Sequence, residues 1–153
     1  MVACFTGHRD LPVGQTEEIR TRLYETVERL IGAGVREFRA GGALGFDTLA
    51  AATVLELKEK YPEITLVLIL PCRDQDKGWS AENKERYDQI KARADEVSVL
   101  SEHYYRGCMF VRNRALVNGS DYCIAYLTSN AGGTAMTVNY AKKQNLQIIN
   151  LGE

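Results

Sequence analysis

Apolar residues fall into two patterns that take turns along the chain. Val2–Phe5, Glu37–Ala40, Ile64–Leu70, Glu96–Leu100, Asp121–Leu127 and Gln147–Leu151 read as six short strands. Ile64–Leu70 is continuously aliphatic, the pattern of a strand covered on both faces. Between the strands, apolar positions recur at helical spacing, as in Ile19, Leu23, Val27, Leu30 and Ile31. Thr16 is placed to cap that first helix, Glu17 and Glu18 suit its first turn, and Gly32 and Gly34 end it. A second helix runs from Phe46 to Tyr61 and stops at Pro62. Its first half, with Leu49 and Ala50-Ala51-Ala52, is apolar almost all round, which predicts burial or a subunit contact. Further helices are expected over Ala81–Ala94, over Met109–Val117, and from the Gly132-Gly133-Thr134 turn to Asn145.

Strict alternation of strand and helix implies an α/β fold, a mostly parallel sheet of six strands between two helical layers. The expected form is a Rossmann-like αβα sandwich over residues 1–153, with strand order 3-2-1-4-5-6. In such sheets ligands bind beyond the carboxyl ends of the strands. The chemically rich segments here all follow strands: Thr6–Arg9, Gly41–Asp47, Cys72–Trp79, Ser101–Arg106 and Asn130–Thr134. Two of them, Gly41-Gly42 with Gly45 and Gly132-Gly133-Thr134, join a strand to a helix through a glycine turn. The free N–H groups of a helix start make such a turn an anion seat.

Composition narrows the partners. The 153 residues carry a net charge of −1, so nothing global points to nucleic acid or to a membrane surface. The longest apolar run is far too short to span a bilayer, and the N-terminus lacks the features of a signal peptide, so a cytoplasmic protein is expected. Cys4, Cys72, Cys108 and Cys123 are far apart and form no CxxC pair, so neither a metal site nor a disulfide framework is expected.

With Gly41-Gly42-Ala-Leu-Gly45-Phe-Asp47 set beside Arg112-Asn113-Arg114 and Gly132-Gly133-Thr134, the chain resembles the SLOG superfamily. That superfamily includes the Lonely Guy phosphoribohydrolases and the single-strand DNA-binding domain of the DNA-processing protein DprA. The opening Thr6-Gly7-His8-Arg9, the run Pro71-x-x-x-Gln75-x-x-x-Trp79, Tyr87 and Ala94-Asp95 resemble its YpsA-related branch, although Cys72 stands where an aromatic is usual. The resemblance implies binding of a nucleotide or nucleotide-derived small molecule, with no cofactor. It places part of the ligand on Gly41, Gly42 and Gly45, a phosphate on Gly132, Gly133 and Thr134, and ribose hydroxyls on Asp47. Gly7, His8, Arg9, Gln75, Trp79, Arg112 and Asn113 complete the expected site.

Enzymatic members carry Met-x-x-Arg-Lys and Pro-Gly-Gly-x-Gly-Thr-x-x-Glu. Here Met109-Phe-Val-Arg112-Asn113 keeps the arginine but loses the lysine, and Asn139 replaces the glutamate. An amide cannot serve as a general base. Catalytic candidates reduce to Arg112 and Asp47, with Asp74 and Glu82 as further carboxylates. Binding or sensing is therefore the leading reading. N-glycosidic hydrolysis of nucleoside monophosphates is one alternative. Single-stranded nucleic-acid binding is the other; it wants a basic groove, which a cluster of Arg9, Arg36, Arg39, Arg106, Arg112 and Arg114 would supply. Homo-oligomerisation is the remaining expectation.

Overall fold

A computed structural model describes residues 1–153. Six strands alternate with five helices: β1 (Val2–Gly7), α1 (Thr16–Gly32), β2 (Glu37–Ala40), α2 (Phe46–Lys60), β3 (Thr65–Leu70), α3 (Ala81–Arg93), β4 (Glu96–Val99), α4 (Cys108–Val117), β5 (Tyr122–Tyr126), α5 (Gly133–Lys143) and β6 (Gln147–Asn150). Every paired strand is parallel. The α/β Rossmann-like sandwich is therefore present. Side chains alternate across it, as the pleat requires. Ala3 and Phe5 join a core of 25 buried residues under α1, α2 and α3, whereas Cys4 joins a smaller one of 10 under α4 and α5. The larger helical layer is thus the one built by the first half of the chain.

The strand order corrects the expectation. It is β4-β3-β2-β1-β5-β6, not 3-2-1-4-5-6. β4 lies at the edge beside β3, and β5 takes the place beside β1. Polarity explains the choice. Glu96-Val97-Ser98-Val99 is exposed over its first half, which suits an edge. In β5, Cys123, Ile124 and Ala125 are completely buried, which suits the centre. Asp95 fixes the docking of β4, because its carboxylate accepts from the Leu66 N–H at 2.8 Å and pairs with Lys58.

The direction of winding reverses between β4 and β5. The β1 and β5 ends consequently send their loops to opposite faces, and a crevice opens between them.

One local expectation also changes. Thr16 is the first residue of α1, Gln15 is the cap, and no side chain closes that end. The Ala-rich half of α2 takes the first of its two expected places, with Ala50 and Ala51 buried against the large core. The stripe Ile19, Leu23, Val27, Leu30 and Ile31 is buried as expected.

Candidate functional site

The crevice is a cavity of about 1040 Å³ at the carboxyl edge of the sheet. That is the upper end of the range for small-molecule sites, about 300–1,000 Å³. The β1 end supplies Thr6, Gly7, His8 and Arg9, the β3–α3 loop supplies Cys72, Asp74, Gln75, Lys77 and Trp79, and α4 supplies Met109, Arg112 and Asn113. Asp47 opens onto it from α2, and Gly133 and Thr134 from the start of α5.

The two glycine turns do different work. A Cβ on Gly41 would strike the Arg112 guanidinium, one on Gly45 the Arg9 backbone, and one on Gly7 the Phe46 ring. Gly42 and Gly45 also have φ of 74° and 78°, a left-handed conformation that glycine adopts freely. These glycines let the chain pack on itself. Gly41 lines no part of the large cavity, and Gly42 and Gly45 face a smaller cleft beside it. Gly133 is the opposite case. Its φ is not in the left-handed region, and a Cβ there would meet nothing within 4 Å. It begins α5, no side chain caps that helix, and its first N–H groups open toward the cavity. The Thr134 hydroxyl beside it is in a residue only 9% exposed, and no hydrogen bond within the chain engages it. Gly132, at φ 97°, shapes the turn without lining the cavity.

Arg112 is an internal clamp as well as a wall. It is 6% exposed, and its Nη1 donates to the Gly41 carbonyl at 2.5 Å and to Gln75 Oε1 at 3.4 Å. Its Nε donates to Asn113 Oδ1 at 2.9 Å, while Nη2 reaches only the Met109 sulfur at 3.6 Å. Burial lowers its pKa and the nearby Asp47 charge opposes that shift. Asp47 is equally buried. Its carboxylate accepts from the Ala43 N–H at 3.3 Å and forms no ion pair. Desolvation therefore raises its pKa, against the pull of Arg112.

His8 joins three segments. Its Nε2 accepts from the Thr128 N–H at 3.0 Å, its ring stands edge-on to Tyr126, and its carbonyl accepts from the Phe46 N–H. With Nε2 accepting, the neutral ring carries its proton on Nδ1. Gln75 Nε2 donates to the Gly41 carbonyl at 3.3 Å and to the Tyr87 hydroxyl at 3.2 Å. Trp79 stands edge-on to Tyr87 with ring centroids 5.1 Å apart, so it anchors its loop while one side lines the cavity.

Several expected residues lie elsewhere. Asn139 and Arg114 face a groove between α4 and α5, where Arg114 sits over the Tyr140 ring at 5.2 Å. Glu82 does not reach the cavity. Asp74 does, but it is engaged: burial opposes its charge, yet the Cys72 thiol and the Tyr104 N–H hold its carboxyl below the usual range. Desolvation, with Asp74 and Cys108 beside it, pushes the Cys72 thiol up to about 11, which disfavours the thiolate. The six arginines do not cluster. Arg36 precedes β2 at the opposite edge of the sheet and donates to the Ile31 carbonyl, and Arg39 is paired with Glu37. Only Arg9 and Arg112 of the six line the cavity. Lys77 and His103 join them there, and neither belongs to a motif read from the sequence. Their signal was position alone, in loops that follow strands.

Comparison with known proteins agrees with this architecture. The family model described as the YspA SLOG family matches residues 4–150. An uncharacterised SPbeta prophage-derived protein, YoqJ of Bacillus subtilis (strain 168), is 31% identical over 142 residues, covering 84% of this chain and 83% of its own length. Among solved structures, DNA processing protein A from Helicobacter pylori, described for its single-stranded DNA binding mode, superposes with a TM-score of 0.70 at 19% identity, over 98% of this chain and 64% of that one. The protein TM1055 superposes with a TM-score of 0.59 at 18% identity, over 97% of this chain and 72% of its own. At these identities the two structures establish the shared fold. No helix is long and apolar enough to cross a membrane.

Proposed function

We propose that this chain, which belongs to the YspA SLOG family, binds a nucleotide or nucleotide-derived small molecule in the crevice between the β1 and β5 ends. The observation that carries the reading is the start of α5. A glycine with no internal reason to be one, an unengaged threonine hydroxyl and an uncapped helix start face a large cavity. That combination suits a phosphate, held by backbone N–H groups and the helix dipole. Arg9 and Lys77 add positive charge across the cavity, and Asp47 offers a carboxylate to sugar hydroxyls. The site acts as a binding or sensing device on this reading, because Asn139 stands where the enzymatic SLOG members carry their glutamate, and it lies outside the cavity.

A thermal-shift series with nucleoside mono- and diphosphates and ADP-ribose tests this. A ligand that binds only the native state raises the melting temperature by mass action, by an amount worth about 2.7 kcal/mol at a hundredfold excess over Kd. Gly133→Asp has room for its side chain and should fold normally. It places a carboxylate in the phosphate seat and should abolish the shift. Equal shifts in both proteins would refute the seat.

A second reading has a specific basis. The Helicobacter pylori neighbour is described as binding single-stranded DNA, and a sugar-phosphate strand presents the same chemistry as a nucleotide. Of the six arginines only Arg9 and Arg112 line the cavity, which favours the small ligand. Titration with oligothymidylate separates the two, since strand binding falls steeply with added salt.

A further inference from the structure

Beside the main cavity lies a smaller cleft of about 180 Å³, between the glycine turn, the β1–α1 loop and α3. Asp47 and Trp79 are the two residues that line both. The cleft differs from the cavity in character. Leu11, Leu44, Leu49, Leu68 and Ile90 make it apolar, and Asn83 and Arg86 stand on its wall. No hydrogen bond within the chain engages the side chain of either. Only the Asn83 backbone N–H is used, as the partner of the Ser80 cap.

We propose that this cleft is the seat of a planar heterocycle, the base of the ligand whose phosphate lies at the start of α5. The inference rests on the reading of the main cavity given above. A nucleobase has two apolar faces and a polar rim. The cleft offers apolar walls together with an amide that both donates and accepts and a guanidinium fork. Its volume suits one ring system. Asp47, at the junction, then lies where the ribose must pass from one compartment to the other. The glycine turn takes part through Gly42 and Gly45, which border the cleft rather than the cavity. Asn83 and Arg86 are thereby specificity residues, reading the edge of the base, and Trp79 is the partition between base and phosphate.

The test uses the single tryptophan of the chain, Trp79, as a built-in reporter. Ribose 5-phosphate and the four common nucleoside 5′-monophosphates are titrated while tryptophan emission is followed, excited beyond nucleotide absorption. A preferred monophosphate should change the emission and bind about tenfold or more tighter than ribose 5-phosphate, the added contribution being that of the base. The double variant Asn83→Ala/Arg86→Ala should bring that monophosphate to within about threefold of ribose 5-phosphate. It should leave ribose 5-phosphate binding unchanged, measured by calorimetry. If the monophosphate binds with undiminished affinity to the double variant, the base lies elsewhere and the proposal is overturned, while the phosphate seat stands. Equal affinity for ribose 5-phosphate and every monophosphate overturns it as well. If neither ribose 5-phosphate nor any nucleotide binds, the reading of the main cavity fails and this one fails with it.

Discussion

At the scale of single residues, the site separates side chains that hold the fold from those left free for a ligand. Arg112 belongs to both. Replacing it with leucine leaves the Gly41 carbonyl and Gln75 without their cation, and losing a buried charged donor of this kind costs about 1–3 kcal/mol. Urea unfolding should therefore show Arg112→Leu destabilised by that amount. Lysine should restore little of it, since it lacks the planar fork.

Asp47 makes the reverse prediction. Its pKa is raised by burial, so the folded state holds the proton more tightly than the unfolded one. Its contribution is then most favourable at a pH below the ordinary carboxylate range. It declines as pH rises through that range toward the raised folded value. Asp47→Asn removes this term. The variant should gain stability over the wild type as pH rises from acid to neutral. A Tm difference that is flat with pH would contradict the assignment.

Elements were legible to the extent that their residues faced one environment. The stripe of α1 and the aliphatic run of β3 are buried as their patterns require. The neighbour of β1 was not legible, because six similar strands allow several orders and a general precedent chose the wrong one. The polarity of Glu96 and Ser98 against the apolar Cys123-Ile124-Ala125 held the answer. Asp95 makes this testable. Burial opposes its charge, but the Lys58 ammonium and the Leu66 N–H outweigh it, so its pKa is lowered. A lowered carboxylate stabilises the fold above its unfolded pKa, and that stability is lost as pH falls through the folded value. Asp95→Ala should cost about 1–2 kcal/mol at neutral pH, with the gap to wild type closing in acid. Hydrogen exchange should show β4 loosening first, since β3 is its only strand partner.

For the whole molecule, the C-terminal edge was readable from sequence because its polar loops all follow strands. What they enclose was not. Gly41, Gly42 and Gly45 read as a ligand cradle in one dimension; in three, Arg112, Leu70 and the Arg9 backbone fill the space their missing side chains leave, while Gly42 and Gly45 border the smaller cleft. Contacts between residues 71 positions apart, such as Arg112 with Gly41, have no local signature. Gly133 could be told from them only by the emptiness around it. On the reading proposed above, this emptiness is a phosphate seat. Phosphorus NMR of a nucleoside 5′-monophosphate titrated with the protein tests it most directly. A phosphate seat at Gly133 gives a shifted or broadened resonance with the wild type and the free-ligand signal with Gly133→Asp. The same perturbation in both proteins, or none in either, would contradict it.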